Sequence, residues 1–341
     1  MNNRSKFTAV LHLLCSVITI ALVCGGLPDS LRAQEKRNLR VVFVSFAWNS
    51  EIPFRVALAR GFFKAQGLQI EPILIRGGPA AIAALVSGEV DFASIGGAQA
   101  VIRSKARGLD MSIIGSISNT TNYALVGNKQ TRTAEDLKGK IVGITGAGTF
   151  SEFAMKAFLK KQNLDPNKDV VLRAIGGAPL RATALEKGII AAAPFSPDEA
   201  VRLIKNGYPL ISNLSESLGI PQTIVVSRGE VLDKYPETSK RFLKALILGI
   251  QLAKNNKKEA IKAGYEGGLQ GDAETVNAAY DLYARGLTPD LSIAVPGIQL
   301  MLDEDIRAGV VDSKFTVDRV INDRILKIAQ QELRAEGRLK P

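Results

Sequence analysis

The side chains that most often act in catalysis or metal binding are confined to the beginning of this 341-residue sequence. The only histidine, His12, and both cysteines, Cys15 and Cys24, lie within its first 24 residues. Histidine is the commonest general base, the cysteine thiolate is a common nucleophile, and both residues are usual ligands of zinc. Without this segment the protein has no imidazole and no thiol. The sequence therefore favours binding over catalysis, and it predicts no catalytic residue, no metal site and no cofactor.

The first 33 residues have the pattern of a secretory leader. Arg4 and Lys6 form a positive region, an apolar run extends over residues 7–23, and residues 30–33 could end in a cleavage site. We therefore predict a signal peptide over residues 1–33 and an exported, periplasmic protein.

Two other fates of this leader stay open. Cys24 followed by Gly25 is similar to a lipoprotein attachment site, although Val23 stands where such sites usually have a small residue. An uncleaved N-terminal anchor is the other alternative. Apart from such an anchor we expect no membrane span, because no second apolar run reaches the roughly 20 residues that cross a bilayer.

The charge pattern does not favour a nucleic-acid partner. The formal net charge is +11, but the basic residues are dispersed and lack the interleaved aromatics of a nucleic-acid surface. A solvated basic surface is the expectation, with binding to anionic polymers as a remote alternative.

Several loops have residue types that bind small anions. Gly77-Gly78-Pro79 and Gly176-Gly177-Ala178-Pro179 are glycine pairs that lead into helices, and Thr149 and Ser196 each precede a carboxylate by three residues, the spacing of a capping box. A helix start offers free N–H groups and the positive end of the helix dipole, so it is a natural anion site. The alternative for Thr149 is that it only caps its own helix.

Three larger side chains near these loops are further candidates. Arg76 and Arg181 could clamp an anion bidentately, although Arg181 could equally be a surface residue of its helix. Trp48, the only tryptophan, lies in a polar loop after the first predicted strand. It could belong to the core or form a platform for a ligand.

The elements that must position these loops alternate between strand and helix. Strand-like runs over 39–46, 68–75, 90–95 and 111–117 alternate with helical patterns over 53–66, 79–87 and 98–107. Such alternation predicts parallel sheets with crossover helices. From residue 231 onward helical patterns dominate, over 239–262, 273–285, 298–308 and 317–334.

The pattern then recurs at an offset of about one hundred residues. Arg40-Val41-Val42 is matched by Lys140-Ile141-Val142, and the segment 75–90 by the segment 175–190. The recurrence predicts two lobes of similar topology. Because ligands of open α/β sheets lie beyond the carboxyl ends of the strands, the facing loops should form a cleft. The paired loops are 47–51 with 146–151, 76–79 with 176–179, and 95–98 with 194–196.

At these residues the chain resembles periplasmic solute-binding proteins of ABC importers, in the nitrate, sulfonate and taurine group related to thiamine-precursor (NMT1/THI5-like) binding proteins. The resemblance is carried by four segments: Ala59-Arg60-Gly61-Phe62-Phe63, Leu85-Val86-Ser87-Gly88-Glu89-Val90-Asp91-Phe92, Asp136-Leu137-Lys138-Gly139-Lys140-Ile141-Val142-Gly143 and Ala193-Pro194-Phe195-Ser196-Pro197.

The resemblance implies an α/β fold of two lobes, the type II periplasmic-binding-protein fold. Each lobe would be a mostly parallel sheet flanked by helices, and the chain would cross between the lobes twice. Lobe 1 would comprise residues 34–124 and 226–341, and lobe 2 residues 125–225.

The resemblance also implies a set of ligand contacts in the facing loops and just before the first crossing. The candidate ligand-binding residues are Trp48, Asn49, Gly78, Gly97, Ala98, Asn119, Asn122, Gly148, Thr149 and Ser196. One departure concerns Ile190-Ala191-Ala192, where relatives usually place an aspartate, so the ligand class does not transfer directly.

The function implied is capture of a small anionic or heteroaromatic solute by a monomeric protein that closes around it and delivers it to an ABC importer permease. Two alternatives stay open: an exported enzyme on the same fold, and a ligand-sensing module for a membrane partner. Enzymes of this fold that make a thiamine pyrimidine depend on histidine and cysteine, which argues against that activity here.

Overall fold

A computed structural model describes residues 35–340, apart from 44–47 and 218–219. The predicted signal peptide and Cys24 lie outside these residues. Ten strands form two five-stranded sheets. The strands are β1 (Asn38–Phe43), β2 (Gln69–Leu74), β3 (Phe92–Gly96), β4 (Ser112–Ser118), β5 (Ala124–Gly127), β6 (Ile141–Ile144), β7 (Val171–Ala174), β8 (Ala192–Phe195), β9 (Leu210–Asn213) and β10 (Thr223–Ser227).

Fourteen α-helices are present in the described part of the chain, together with 3₁₀ turns at Glu135–Leu137 and Val317–Val320. The helices are α1 (Trp48–Ala59), α2 (Phe62–Ala65), α3 (Gly78–Val86), α4 (Gln99–Ala106), α5 (Phe150–Lys161), α6 (Ala178–Glu186), α7 (Pro197–Lys205), α8 (Leu214–Ser217), α9 (Gly229–Lys234), α10 (Pro236–Asn255), α11 (Lys257–Glu266), α12 (Ala273–Gly286), α13 (Val295–Arg307) and α14 (Arg324–Ala335). No helix within these described ranges is long and apolar enough to cross a membrane.

The two sheets have the same plan. The first has the order β2-β1-β3-β10-β4 and the second β7-β6-β8-β5-β9. In each, the first three strands are parallel and the fourth runs antiparallel to them. The predicted recurrence is therefore confirmed, since β1, β2 and β3 have counterparts in β6, β7 and β8. We call the first sheet with its helices lobe 1 and the second sheet with its helices lobe 2.

The antiparallel strand of each sheet marks where the chain passes from one lobe to the other. The chain leaves the first sheet after Ser118 and enters the second at Ala124, and it leaves the second after Asn213 and re-enters the first at Thr223. All residues of β4 and β10 are buried, as expected for strands covered by helices on both faces.

Three predicted helices differ from the observed ones. The helix predicted over 53–66 begins earlier, at Trp48, so most of the loop predicted over 47–51 is helical. The helix also breaks at Gly61, whose φ of 69° lies in the left-handed region. The helix predicted over 239–262 is two helices, because the Asn256 side chain accepts a hydrogen bond from the Glu259 N–H and starts a new one.

The third is the helix predicted over 317–334, which begins only at Arg324. Before it, Ile321 forms a parallel bridge with Ile113 of β4, and the Asn322 N–H donates to the Ile113 carbonyl (2.9 Å). Pairing with the sheet edge holds this stretch extended, which the helical period of the sequence could not reveal.

The core of lobe 1 fixes the sheet that carries half of the cleft. Phe92 of β3 stacks on Phe242 of α10, with ring centroids 4.2 Å apart, and Phe242 in turn contacts Phe63 of α2. All three side chains are buried. Aromatic pairs of this kind contribute about 0.5–1.5 kcal/mol beyond their buried area, so they hold the helical layer firmly against the sheet.

Candidate functional site

A cavity of about 590 Å³ lies between the carboxyl ends of the two sets of parallel strands. Its walls come from both lobes and from the segment between α11 and α12. The lining residues are Arg55, Arg76, Gly77, Gly78, Gly96, Tyr123, Thr145, Thr149, Phe150, Ser151, Gly177, Ala178, Pro179, Arg181, Ser196, Asp198, Glu199, Gln222, Thr223, Gly267, Gly268, Leu269 and Gln270. The volume is that of a pocket for a small molecule.

Four helices begin at this cavity. The first residues of α3 and α6, and the residues at the starts of α5 and α7, belong to its lining. In α3, α6 and α7 a proline occupies one of the first two positions, where its missing N–H leaves no hydrogen bond unmade. The starts of α3 and α6 have no acidic residue in their first turn, so their unpaired N–H groups and partial positive charge favour an anionic group in the cavity. Carboxylates already lie in the first turns of α5 (Glu152) and α7 (Asp198 and Glu199).

Arg181 is the most deeply placed charge in this wall. It is only 3% exposed, and it ties together the ends of the three parallel strands of lobe 2. Nη1 donates to Thr145 Oγ1 (2.8 Å) after β6 and to the Gly176 carbonyl (2.6 Å) after β7, and Nη2 donates to the Pro194 carbonyl (3.0 Å) of β8.

All of these acceptors are neutral, and the buried Nε of Arg181 has no hydrogen-bond partner. Among the described residues no carboxylate forms an ion pair with the guanidinium. Burial lowers the pKa of Arg181, and the negative charge of the nearby Glu199 acts in the opposite direction by raising it. The guanidinium therefore lies beside the cavity without a direct ion-pair partner.

Two aromatic rings form an apolar part of the wall. Tyr123 and Phe150 pack with their centroids 5.7 Å apart, and Phe150 also contacts Phe153. Burial raises the pKa of the Tyr123 phenol, so this hydroxyl stays protonated at neutral pH. The two rings are tilted by 42° to one another and give the wall an apolar part that suits an apolar or aromatic portion of a ligand, next to the polar helix starts.

Two carboxylates follow one another at the start of α7. Glu199 is bound by Arg202, whose Nη2 lies 2.7 Å from Oε1. Asp198 has no such cation, and its Oδ1 is buried without a hydrogen-bond partner. Burial raises the pKa of Asp198, while hydrogen bonds from Ser196 and Glu199 act in the opposite direction.

The two lobes approach one another closely at their glycine loops. A Cβ atom on Gly177 of lobe 2 would lie 3.4 Å from Nε of the exposed Arg76 of lobe 1, an ordinary contact distance, so these two loops are direct neighbours. Ion pairs among the described residues also connect the lobes: Lys160 with Glu304, and Lys205 with both Glu274 (2.9 Å) and Asp272 (3.7 Å).

Three of the predicted ligand-binding residues line the cavity, namely Gly78, Thr149 and Ser196. The predicted capping boxes are wrong in detail. The Thr149 hydroxyl donates to the Gly146 carbonyl (2.7 Å) rather than accepting from its helix, and the Glu152 carboxylate accepts from the Gly148 N–H (2.6 Å). Ser196 likewise makes no side-chain cap bond to its helix.

Gly148, Gly97 and Ala98 lie outside the lining, next to it. A Cβ on Gly148 would meet the guanidinium of Arg103 at 3.2 Å, and one on Gly97 would meet the Phe150 ring at 2.5 Å. The Ala98 N–H is directed to the sulfur of Met301 (3.2 Å).

The asparagines before the first crossing are bound to lobe 1 and are not in the lining. Asn119 Nδ2 donates to the Ser292 carbonyl (2.8 Å), and Asn122 Nδ2 to Ser118 Oγ (3.3 Å). Trp48 and Asn49 open helix α1, and their side chains lie outside the described part of the structure.

Sequence reasoning missed Tyr123, Phe150 and Asp198 as parts of the wall. Phe150 follows Thr149 and has the position of a core residue in its helix. A phenylalanine at such a position does not indicate from sequence that it lines a ligand cavity. Asp198 could have been found, since it lies within the helix start that the sequence singled out. Within the described ranges no group of histidine, cysteine or carboxylate side chains could hold a metal ion.

The sequence is similar to a known protein family and to a curated protein. A family model described as NMT1/THI5 like matches residues 48–260. YtlA of Bacillus subtilis (strain 168) is 22% identical over 293 residues, which cover 82% of this chain and 86% of that protein.

Among the solved structures of similar fold are a sulfonate-binding and a nitrate-binding protein. The alkanesulfonate-binding protein SsuA from Xanthomonas axonopodis pv. citri, bound to MOPS, has a TM-score of 0.68 at 17% identity, with 87% of this chain and 99% of that chain covered. The periplasmic nitrate-binding protein NrtA from Synechocystis PCC 6803 has a TM-score of 0.71 at 15% identity, with 91% and 92% covered. The predicted two-lobed periplasmic-binding-protein fold is thereby confirmed.

Proposed function

Because the chain belongs to the NMT1/THI5-like family, we propose that it is an extracytoplasmic solute-binding component of an ABC importer. It captures a small anionic solute in the cavity between the lobes and delivers it to a membrane permease. The observation that carries the proposal is the buried Arg181, which has no direct ion-pair partner among the described residues, in a wall where α3 and α6 begin without acidic residues. Both features favour negative charge in the same space.

The similar structures support the proposed class of ligand. SsuA is an alkanesulfonate-binding protein and NrtA is a nitrate-binding protein, and both of these ligands are anions. The Tyr123–Phe150 pair adds an apolar surface to the cavity, which suits an organic anion better than an inorganic one.

Binding rather than catalysis is proposed because of the residue types that line the cavity. Its charged groups are arginines and two adjacent carboxylates, and no histidine or cysteine occurs after Cys24 in the sequence. The salt bridge to Arg202 occupies the Glu199 carboxylate, so this group is not free to act as a general base.

Capture would work by closure of the lobes on the two crossing segments. A solute that touches both walls binds the closed arrangement more tightly than the open one and shifts the population toward it. Residues 34–124 with 226–341 would move as one body and residues 125–225 as the other.

A thermal-unfolding screen tests the proposal. The panel consists of aliphatic sulfonates, inorganic anions including nitrate, aminopyrimidines and aromatic carboxylates. A solute that binds only the folded protein raises its melting temperature in a saturable manner. We expect this from an anionic class, and the absence of a saturable rise with every anion would contradict the proposal.

A double substitution connects any such shift to the cavity. Thr149→Ala with Ser196→Ala removes two hydroxyls of the lining and should weaken binding about tenfold without unfolding the protein. Thr183→Ala, on the exposed face of α6, is the matched control and should leave the affinity unchanged. Unchanged affinity of the double variant in calorimetry would remove both residues from the site.

A further inference from the structure

The cavity wall contains a negative charge that the capture of a simple anion leaves unused. Asp198 is half-buried at the second position of α7, and part of its side chain lines the cavity. Its Oδ1 is buried without a hydrogen-bond partner. Among the described residues no lysine or arginine forms an ion pair with this carboxylate.

The neighbouring charges do not compensate Asp198. Arg202 binds Glu199 and Glu186, and Arg181 is occupied by the oxygens of Thr145, Gly176 and Pro194. A buried charge without a counter-charge is unfavourable, and the raised pKa of Asp198 has the same cause. An incoming positive group would remove this penalty on binding.

Arg181 and Asp198 thus give one cavity two groups of opposite charge, neither of which has a direct ion-pair partner among the described residues. An anionic group fits the side of Arg181 and the starts of α3 and α6, and a protonated nitrogen with N–H donors fits Asp198. A charged donor bound to a carboxylate forms one of the stronger hydrogen bonds in proteins.

We propose that Asp198 determines specificity, and that the cavity selects solutes with both an anionic group and a protonated nitrogen over solutes with the anionic group alone. This inference rests on the proposed solute-binding function and narrows its ligand class to zwitterions.

Calorimetry with matched pairs of probes tests the inference. One pair is 3-aminopropane-1-sulfonate and propane-1-sulfonate, and the other is 4-aminobutanoate and butanoate, all at pH 7. We expect the wild type to bind the amino member of at least one pair about tenfold more tightly. In Asp198→Asn this preference should shrink to about threefold or less, while affinity for the amine-free member is kept or improved.

A control variant separates a role in specificity from a general effect of lost charge. Glu237 follows Pro236 at the start of α10 as Asp198 follows Pro197, but it lies outside the cavity and pairs with Lys240. Glu237→Gln should keep the full preference for the amino probe. The melting temperature of Asp198→Asn should not fall, because the substitution removes an uncompensated charge.

Equal affinity of the wild type for both members of each pair would overturn the inference, and so would a preference that persists in Asp198→Asn. Failure of all four probes would also overturn it if another anion of the thermal panel binds. Failure of every anion in that panel would instead overturn the proposed function itself.

Discussion

The helices α3 and α6 begin on opposite sides of the cavity with almost the same scaffold and different chemistry. Each begins at a glycine pair, α3 within Gly77-Gly78 and α6 after Gly176-Gly177, and each has proline at its second position, Pro79 in lobe 1 and Pro179 in lobe 2. Two residues later lobe 1 has Ala81 and lobe 2 has Arg181, and both side chains are buried.

Ala81 and Arg181 occupy equivalent positions in the two lobes, but their surroundings differ. Ala81 packs among aliphatic side chains of the lobe 1 core. At the equivalent place in lobe 2, three oxygens at the ends of the parallel strands accept hydrogen bonds from Arg181. The shared backbone determines where the residue lies, and its type determines whether that place is core or charged wall.

The largest effect should come from giving lobe 1 the residue of lobe 2. Ala81→Arg puts a guanidinium at a fully buried position in an apolar cluster, and we expect it to lower the free energy of unfolding by about 4 kcal/mol or more. Ala80→Arg, on the exposed side of the same helix, should change it by about 0.5 kcal/mol or less. Urea denaturation measures both, and equal stability of the two variants would refute the comparison.

The reverse change removes the guanidinium from lobe 2. Arg181→Met leaves the Gly176 and Pro194 carbonyls without their donor, so the free energy of unfolding should fall by about 2–4 kcal/mol. Affinity for an anionic solute should fall about tenfold or more, as read by calorimetry. The exposed Arg173→Met serves as the control with the same change of charge. If Arg181→Met bound as tightly as this control, Arg181 would have no part in binding.

A smaller effect distinguishes two glycines with left-handed backbone conformation, one in each lobe. Gly97 of lobe 1 and Gly207 of lobe 2 both have positive φ, 69° and 80°, so alanine strains each by roughly 1 kcal/mol. Only at Gly97 would the new methyl also meet the Phe150 ring, at 2.5 Å, whereas nothing lies within 4 Å of it at Gly207. We expect Gly97→Ala to be about 1–3 kcal/mol less stable than Gly207→Ala in thermal unfolding. Equal stability would mean that the ring moves aside without penalty.

The smallest effect concerns the contact between α12 and α7. Hydrogen bonds from Thr275, together with the charge of Lys205, lower the pKa of Asp272 from 3.8 to about 2. A carboxyl whose pKa is lowered on folding contributes stability that is fully present above about pH 4 and is lost as the pH falls toward 2. The wild type should therefore have a higher free energy of unfolding than Asp272→Asn in urea denaturation at pH 5. This difference in free energy should become smaller at pH 3. A difference independent of pH would contradict this.

The strands and helix starts were predictable because they depend on local sequence. Aliphatic runs such as those of β1 and β3 and the Gly-Pro entries of α3 and α6 identify their elements directly. The burial of Arg181 was not predictable, since its acceptors Thr145 and Pro194 lie 36 and 13 residues away and meet it only once the strands are aligned.

The same reason explains why some candidates fall outside the cavity. Asn119 has a polar side chain in a plausible place, but the Ser292 carbonyl that binds it comes from 173 residues further along the chain. The segment Ile190-Ala191-Ala192 lacks the aspartate that relatives usually have there, and the sequence predicted that the ligand class does not transfer directly because of this loss. Its counterpart Asp91 binds Lys36 (2.6 Å) and the Arg40 N–H (3.0 Å), and neither segment lines the cavity.

Hydrogen–deuterium exchange with and without the solute that gives the largest thermal shift tests the central claim most directly. Binding between the lobes should slow exchange in 76–79 of lobe 1 and in 145–151, 176–181 and 194–199 of lobe 2 together, because these segments form the two facing walls. Protection confined to one lobe, or located elsewhere on the protein, would contradict capture of the solute between them.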